Sequence, residues 1–542
     1  MTLRQLRSAV LAGALFLAGC GAPGPRLVVV LSVDQMRADY LDRFGPQFTG
    51  GFRWLIDRGA VFSDAHQDHA VTSTAPGHAT IATGVFPSRH GIVANNFFVR
   101  DAGRSTYSVA DSTREILGFP GDPGRSPANL LRLGLGDWLK AQSPDSKVFS
   151  VAIKDRSAIL MGGQHPDGAY WYHNRTGSYV TSSYYATSYP QWVTEFNESG
   201  RAARYYGREW TRLLPEDQYG ASREDAFAAE GDGEHTTFPH RLAGPSGTPD
   251  ARFFGSLTGT PFGDELTLAF ARELMVHEEL GRDDVPDILF LGLSAADIIG
   301  HPYGPFSQEV QDYYLRVDVM LMNFFDFLNQ QVGVDAYVVV LTADHGVLPM
   351  PEELARRGTE AARVSTAGLR GVVQAAVREA VEHGIVNEAP AIRFGSGVMF
   401  DFGDQEPSTE SVAQLRKHVA ERMLGHDAIA VAYTFDEIQS GSLHGVVFER
   451  YQRSFYPNRV GDVMFNGPEN HLLTRSRTGT SHGSPYRYDS HVPLVFAGKD
   501  IAPGRHDEPA RTVDLSATVA AILGIDPPAD IDGRVLPGVT GR

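Results

Sequence analysis

Six residues of types that commonly bind metal ions lie at or near the ends of apolar runs that are far apart in the sequence. They are Asp34, Asp297, His301, Asp344, His345 and His482. Asp34 follows the apolar run 27–33, Asp297 follows 288–293, and the pair Asp344-His345 follows 337–342. Such runs predict buried parallel strands. Because groups just beyond the carboxyl ends of parallel strands line one crevice, we expect these distant residues to be neighbours.

The types and spacing of these residues predict a pair of zinc ions. Asp297 and His301 are four positions apart, so on a helix both would lie on one face and reach one ion. After Asp344-His345, we expect Gly346 to permit a sharp turn that lets both side chains reach metal. Three imidazoles and three carboxylates favour zinc over manganese or iron. A catalytic zinc takes about three protein ligands, so six predict two ions, the usual arrangement for displacement at phosphorus.

A candidate nucleophile lies between the first and second of these segments. Thr74 precedes Pro76 by two residues, a position that predicts a helix N-cap, and capping alone would explain the threonine. A hydroxyl at a helix N-terminus also lies where backbone N–H groups favour an approaching phosphate. We therefore interpret Thr74 as a nucleophile activated by zinc, with Ser73 and Thr72 as the alternatives.

Positive charge for a phosphate is expected from Lys154 and Arg156, which follow the strand predicted at 148–153. If this segment is extended, both side chains project to the same side. Arg156 would bind two phosphoryl oxygens and Lys154 would act as a point charge, although both could instead be solvated surface cations. Asn95 is the candidate amide donor to a third oxygen, and Asn96 is the competing choice.

The alternation of apolar runs with amphipathic segments predicts a doubly wound α/β fold, with a mostly parallel central sheet flanked by helices. Further elements are expected as helices at 51–58, 261–279, 373–383 and 512–523 and a strand at 492–497. We assign residues 26–542 to one catalytic domain with two large insertions, at about 161–260 and 351–480. The insertions are interpreted as caps over the active site, with inert elaborations as the alternative.

The N-terminus predicts export and lipidation. Arg4 and Arg7 precede an apolar stretch at 9–18 that is too short to span a bilayer, and Leu17-Ala18-Gly19-Cys20 resembles a bacterial lipobox. Residues 1–20 are therefore expected to be a signal peptide, with lipidated Cys20 beginning the mature chain; a plain secretory signal is the alternative. Gly21 after this cysteine favours anchoring to the outer membrane, and we expect a periplasmic protein. Because Cys20 is the only cysteine, no intrachain disulfide is expected.

Composition excludes some classes of function. Of the 542 residues 42% are hydrophobic and 21% charged, as in ordinary folded proteins. The net charge of −17 without a basic run argues against binding to nucleic acid. We expect a monomer that contacts the membrane only through its N-terminal lipid.

Together these residues resemble the alkaline phosphatase superfamily, and within it the monomeric bacterial phosphatases with a threonine nucleophile. The resemblance implies that Asp34, Asp344 and His345 hold one zinc beside the Thr74 oxygen. It implies that Asp297, His301 and His482 hold the second zinc. It also implies that Thr74 attacks a phosphate monoester to form phosphothreonine, which water hydrolyses to inorganic phosphate. By the same resemblance, the nonbridging oxygens are bound by Asn95, Lys154 and Arg156, with no required magnesium.

Two other functions remain as alternatives at this stage. Phosphodiesterases and nucleotide pyrophosphatases of the same superfamily share the ligands and the threonine. A monoester is a dianion with three free oxygens, whereas a diester carries one charge, so Lys154 with Arg156 favours small phosphate monoesters as substrates. A lipoprotein that binds metal or phosphate without catalysis is the second alternative, and the complete set of ligands argues against it.

Overall fold

A computed structural model describes residues 24–244, 246–395 and 397–540. The predicted signal peptide and Cys20 lie outside the described residues. The strands are β1 (Leu27–Val33), β2 (Gly59–Phe62), β3 (Ala65–His66), β4 (Asn96–Val99), β5 (Arg104–Tyr107), β6 (Val148–Ala152), β7 (Gly168–His173), β8 (Ser178–Val180), β9 (Glu209–Trp210), β10 (His240–Arg241), β11 (Asp287–Leu293), β12 (Tyr337–Thr342), β13 (Ala362–Val364), β14 (Ala391–Gly395), β15 (Gly397–Asp401), β16 (Val431–Thr434), β17 (Val463–Asn466), β18 (His471–Leu473), β19 (Leu494–Gly498), β20 (Gly504–His506) and β21 (Ala510–Arg511).

The α-helices of the described ranges are between 4 and 24 residues long. They are α1 (Asp39–Arg43), α2 (Gly51–Arg58), α3 (Thr74–Thr83), α4 (Pro87–His90), α5 (Leu135–Gln142), α6 (Asp155–Gly162), α7 (Gln191–Glu198), α8 (Ala251–Leu257), α9 (Pro261–His277), α10 (Ala295–Tyr303), α11 (Gln308–Gln331), α12 (Pro351–Arg356), α13 (Leu369–Glu382), α14 (Thr409–Leu424), α15 (Phe435–Ser440), α16 (Val446–Arg453), α17 (Arg487–Ser490) and α18 (Asp514–Leu523). Across the described ranges, none of them is both long enough and apolar enough to cross a bilayer.

A large sheet forms the centre of the molecule, with the strand order β20-β2-β19-β12-β1-β11-β6-β7-β8. The five strands from β12 to β7 run parallel to one another. Strand β19 is antiparallel to both of its neighbours, and β8 is antiparallel to β7. The prediction of a mostly parallel α/β sheet is therefore confirmed.

Helices cover both faces of this sheet. Along β1, Val29, Leu31 and Val33 pack into one apolar cluster, and Val28 and Val30 pack into another on the opposite face. The first cluster contains residues of α2, α9 and α11, and the second contains residues of α5 and α18. Because successive side chains of a strand point to opposite faces, a strand buried on both faces must be apolar throughout, as the run 27–33 is.

The two long stretches interpreted as insertions differ in how they relate to the sheet. The central sheet continues into the first stretch, because β7 and β8 belong to it. The second stretch has its own four-stranded sheet, in the order β14-β15-β17-β16. Helices α13 and α14 pack on that sheet around a separate apolar cluster that includes Val373, Leu415 and Val419.

Candidate active site

The candidate site lies at the carboxyl ends of four adjacent strands. In sheet order, β12 is followed by Asp344 and His345, β1 by Asp34, β11 by the helix α10, and β6 by Lys154. Helix α10 carries Asp297 and His301 one turn apart, as their spacing predicts. The fold therefore assembles these groups because their strands are neighbours in the sheet, although they are far apart in sequence.

The six predicted ligands meet in one crevice. Ligand atoms of Asp34, Asp344 and His345 lie within 4.8 Å of one another, and so do those of Asp297, His345 and His482. His301 Nε2 lies 3.2 Å from Asp297 Oδ1, which adds it to the second group. His345 stands between the groups, since its Nε2 is 3.6 Å from Asp34 Oδ1 and its ring stacks on that of His482.

Backbone carbonyl groups orient the three imidazoles in the same way. His301 Nδ1 lies 2.9 Å from the carbonyl oxygen of Thr480, and His482 Nδ1 lies 2.8 Å from that of Thr72. His345 Nδ1 lies 2.9 Å from the carbonyl oxygen of Gly346. Since a carbonyl only accepts, each Nδ1 carries a proton, so in the neutral imidazole it is Nε2 that offers a lone pair to a metal ion.

The crevice gathers three buried carboxylates around one buried lysine. Lys154 Nζ donates to Asp34 Oδ2 at 2.7 Å and to Asp297 Oδ2 at 2.6 Å, and the Lys154 side chain is only 8% exposed. Burial opposes the charge on Lys154, but Asp297 and Asp34 outweigh burial and raise its pKa. Burial and the neighbouring Asp34 carboxylate raise the pKa of Asp344 well above its usual value. One lysine does not satisfy three buried carboxylates, so additional cations would stabilise the site.

Buried atoms without partners mark where such cations would bind. Asp34 Oδ1, Asp344 Oδ2 and His345 Nε2 have no hydrogen-bond partner among the described residues. Leaving a buried polar atom unpaired costs on the order of 1 to 3 kcal/mol, and more for a charged group. These unpaired atoms all belong to the group of Asp34, Asp344 and His345, where they fit one zinc ion. The convergence of nitrogen and oxygen donors from Asp297, His301 and His482 fits a second.

Helix α3, which begins with Thr74, packs closely against the loop that contains Asp344. Helix α3 begins at Thr74, and Ser73 is its N-cap, so the expectation of Thr74 as the cap is wrong by one residue. The cap position lies one residue earlier because Ser73 still has extended backbone angles. A Cβ on Gly77 would lie 2.2 Å from the Asp344 carbonyl oxygen, so only glycine permits this approach. Thr74 is 1% exposed.

Lys154 and Arg156 both reach the Thr74 hydroxyl, but not from an extended segment. Strand β6 ends at Ala152 and helix α6 begins at Asp155, so Lys154 caps this helix and Arg156 lies in its first turn. The condition of an extended segment is therefore not met, because the chain turns directly into a helix. Nonetheless Lys154 Nζ lies 3.5 Å and Arg156 Nη2 lies 3.3 Å from Thr74 Oγ1.

Asn95 and Asn96 differ in what they contact. Asn95 Oδ1 accepts a hydrogen bond of 2.8 Å from the backbone N–H of Ala75, at the start of the Thr74 helix. That bond leaves the Asn95 amide N–H groups as donors. Asn96 is exposed and begins β4, where it pairs with Tyr107 of β5. Of the two, Asn95 is the residue that lies against the Thr74 helix.

Gly346 has a different role from the one expected. It does not adopt a positive φ, so its conformational freedom is not what the turn after His345 requires. A Cβ at this position would lie 2.3 Å from the Tyr488 carbonyl oxygen. The glycine is needed for the close approach of the chain that follows His482.

Two residues that support the site are not among those predicted from the sequence. Gln35 donates from Nε2 to Asp297 Oδ1 at 2.6 Å and from its backbone N–H to Asp344 Oδ1 at 3.1 Å, so it contacts ligands of both groups. It does so with a φ of 66°, an unusual value for a residue other than glycine. The hydroxyl oxygen of Tyr107 accepts a hydrogen bond of 3.3 Å from Arg156 Nη1. Adjacency to Asp34 could have pointed to Gln35, but nothing in the sequence indicates Tyr107.

Comparisons with known proteins agree with this arrangement. The family model for type I phosphodiesterase / nucleotide pyrophosphatase matches residues 28–486. Alkaline phosphatase PafA of Elizabethkingia meningoseptica is 33% identical over 544 residues, which cover 96% of this chain and 95% of that protein. Alkaline phosphatase PhoV of Synechococcus elongatus is 32% identical, with 94% and 92% covered. The crystal structure of wild-type PafA matches with a TM-score of 0.86 and 31% identity, covering 96% of this chain and 100% of that one.

Proposed function

The chain belongs to the type I phosphodiesterase/nucleotide pyrophosphatase family of the alkaline phosphatase superfamily, and on that premise we propose that it is an alkaline phosphatase. We propose that it hydrolyses small phosphate monoesters with Thr74 as the nucleophile and two zinc ions as cofactors. The phosphoryl group would pass through a phosphothreonine before inorganic phosphate is released.

One observation carries the preference for monoesters: two cations face the Thr74 hydroxyl from the same helix terminus. Lys154 Nζ and Arg156 Nη2 lie 3.5 Å and 3.3 Å from Thr74 Oγ1. Arg156 Nε is buried and has no partner within the described ranges, so it can donate to a further oxygen. Two cations at this distance offset the desolvation of a dianion, whereas a diester has one charge to neutralise.

The proposed reaction follows from these contacts. Thr74 Oγ1 attacks phosphorus in line with the ester bond, loses its proton, and forms a new P–O bond as the ester P–O bond breaks. The leaving alkoxide takes up a proton and departs as the alcohol. Lys154, Arg156 and the free amide donors of Asn95 hold the three nonbridging oxygens through this step. Water then displaces Thr74 from phosphorus and regenerates the hydroxyl.

The two zinc ions would be held by Asp34, Asp344 and His345 and by Asp297, His301 and His482. When bound, they would supply positive charge that lowers the pKa of the Thr74 hydroxyl and stabilises the leaving oxygen. In the metal-free arrangement, Asp297 outweighs burial and raises the pKa of His301 to about 9. Uptake of zinc at neutral pH should therefore release protons.

The test compares p-nitrophenyl phosphate with bis(p-nitrophenyl) phosphate on one zinc-loaded sample, with and without chelator. We expect a higher kcat/KM for the monoester and loss of activity with chelator. Thr74→Ala should abolish turnover and keep its zinc, and the phosphorylated residue should be trapped by acid quench and located by mass spectrometry. Preference for the bis ester would identify a phosphodiesterase, and inactivity of the zinc-loaded protein would favour a binding lipoprotein. If Thr74→Ala retained its activity, the nucleophile would instead be Ser73 or Thr72.

We also propose that the protein is a periplasmic lipoprotein, anchored to the outer membrane through Cys20 and monomeric. This proposal is supported by the lipobox-like sequence 17–20 and by the glycine that follows it. Cys20→Ala should abolish labelling with radioactive palmitate and release the protein from the membrane fraction. Labelling that persists in this variant would refute the proposed anchor.

A further inference from the structure

A third group of residues of metal-binding types lies outside the candidate active site. His66 is the last residue of β3, and Asp64 directly precedes this strand. His491 directly follows α17. One ligand atom from each of the three lies within 4.8 Å of the others. The two imidazole rings are nearly parallel, with centroids 5.0 Å apart, and the two backbones form a bridge. The candidate active site uses none of these residues.

A cation already stands where the three side chains converge. Arg487 Nη1 lies 2.9 Å from Asp64 Oδ1 and 3.1 Å from His66 Nε2. Its Nη2 lies 3.4 Å from His491 Nε2. The arginine side chain is 60% exposed, so it can leave without opening the core. The Arg487 guanidinium therefore occupies the position that a metal ion bound by these three side chains would take.

The protonation of the two histidines suits metal binding. Burial lowers the pKa of His66 to about 4 and lowers that of His491, so both are neutral at neutral pH. His66 Nε2 lies 3.1 Å from Asp64 Oδ1, so a metal ion at Nε2 would replace the proton shared with this carboxylate, and His66 Nδ1 would then donate to Ser490 Oγ, 3.1 Å away. His491 Nε2 lies 2.8 Å from the Ser63 carbonyl oxygen, so coordination through that nitrogen would cost a hydrogen bond. We accordingly expect weaker binding than at the candidate active site.

We infer that Asp64, His66 and His491 form an additional site for a divalent d-block ion such as zinc or cobalt. Two imidazoles and a carboxylate select such ions over calcium and magnesium, which prefer oxygen ligands. This inference does not depend on the proposed function, because it concerns other residues and a different readout.

The position of this site points to a structural role. The segment from His482 to His491 is fixed at the Asp344 loop, where Gly346 N–H donates to the Asp489 carbonyl oxygen at 2.6 Å. In the adjacent residue, Ser490, the carbonyl oxygen accepts from Gln67 N–H at 2.8 Å. An ion held by Asp64, His66 and His491 would add a further link between the C-terminal end of this segment and β3. The bound ion would thereby stabilise the position of the segment that carries His482.

The experiment uses the full chain with its high-affinity sites saturated by zinc and excess metal removed. Cobalt is then titrated by calorimetry and by visible absorption, and the melting temperature is measured with each addition. We expect one further equivalent per chain and a rise in melting temperature in the wild type. Arg487→Ala removes the competing cation from an exposed position and should bind cobalt at least about tenfold more tightly, the effect of about 1.4 kcal/mol.

His66→Gln, and the double variant with His491→Gln, should lose this equivalent. His235→Gln is the matched control, because His235 Nδ1 lies 2.8 Å from Asp232 Oδ2 in an exposed pair outside all three groups of candidate metal ligands. The site is refuted if neither the wild type nor Arg487→Ala takes up the equivalent, or if the double variant retains it. Cobalt binding at this site without a change in melting temperature would refute the structural role.

Discussion

Removing the hydroxyl of Tyr107 while keeping its ring should reduce catalysis through Arg156. The hydroxyl donates to Asp155 Oδ1 at 2.5 Å and accepts from Arg156 Nη1 at 3.3 Å, so it links a fixed carboxylate to the arginine. Asp155 is itself fixed by Arg125 Nε at 2.6 Å. Tyr107 thus acts as a positioning residue, since its hydroxyl holds the guanidinium that faces Thr74.

The magnitude follows from the geometry of these contacts. A hydrogen bond to a charged group contributes about 1.5 to 3 kcal/mol, and the 3.3 Å separation favours the lower value. Tyr107→Phe should therefore lower kcat/KM for a monoester by about tenfold. Folding should be nearly unaffected, because Asp155 keeps its bonds from the backbone of Arg156 and from Arg125, and a phenyl ring keeps the contact with the Arg125 guanidinium.

The assay is a double-mutant cycle with Arg156→Ala, measured as kcat and KM for p-nitrophenyl phosphate. If Tyr107 acts through Arg156, its substitution should have no further effect in the Arg156→Ala background. Tyr172→Phe is the control, since it removes a hydroxyl that donates to the Phe254 carbonyl oxygen instead. The reasoning is refuted if Tyr107→Phe costs the same factor in both backgrounds, or if it leaves kcat/KM of the wild type unchanged.

Three further predictions concern residues that support the site or the core. Gln35→Ala should weaken zinc binding by about 10- to 100-fold in chelator competition, because the side chain fixes Asp297 by a 2.6 Å hydrogen bond. Gly77→Ala should lower the free energy of unfolding by about 1 to 3 kcal/mol in denaturant titrations, because its Cβ would clash with the Asp344 carbonyl oxygen. His69→Asn should reduce the loss of stability at acidic pH, because burial lowers the pKa of His69 to about 3, below the unfolded value of 6.5. The stability that neutral His69 contributes to the free energy of unfolding is complete above pH 6.5. It is lost as the pH falls, by about 2 kcal/mol at pH 5.

Each of these predictions has a matched control. Gln311→Ala removes a buried amide that bonds to Gln47, outside the crevice, and should leave zinc affinity unchanged. Gly371→Ala adds a Cβ with no neighbour within 4 Å in the described chain, so it should not destabilise. His165→Asn, at a side chain that is 69% exposed, should leave the loss of stability at acidic pH as it is in the wild type. Equal effects in variant and control would contradict the corresponding prediction.

The sequence predicted the sheet and the convergence of the ligand residues for one physical reason. A parallel strand buried on both faces must be apolar throughout, so it can be recognised from composition, and its carboxyl end marks the crevice. That rule locates Asp34, Asp344 and Lys154 directly, and helical spacing adds His301 to Asp297. The rule says nothing about strand order. The adjacency of β12, β1, β11 and β6 was therefore an assumption that only the structure supports.

Residues that support the site from elsewhere in the fold were outside the reach of this reasoning. Tyr107 belongs to the two-stranded pair of β4 and β5, which is not part of the central sheet, so no strand-end rule applies to it. Gly346 was assigned to a turn when it is needed for contact with Tyr488, because sequence alone does not distinguish backbone freedom from close approach. Both cases depend on contacts between segments far apart in sequence, which local periodicity does not encode. Where a site is built from strand ends, sequence therefore indicates its ligands better than the residues that hold those ligands in place.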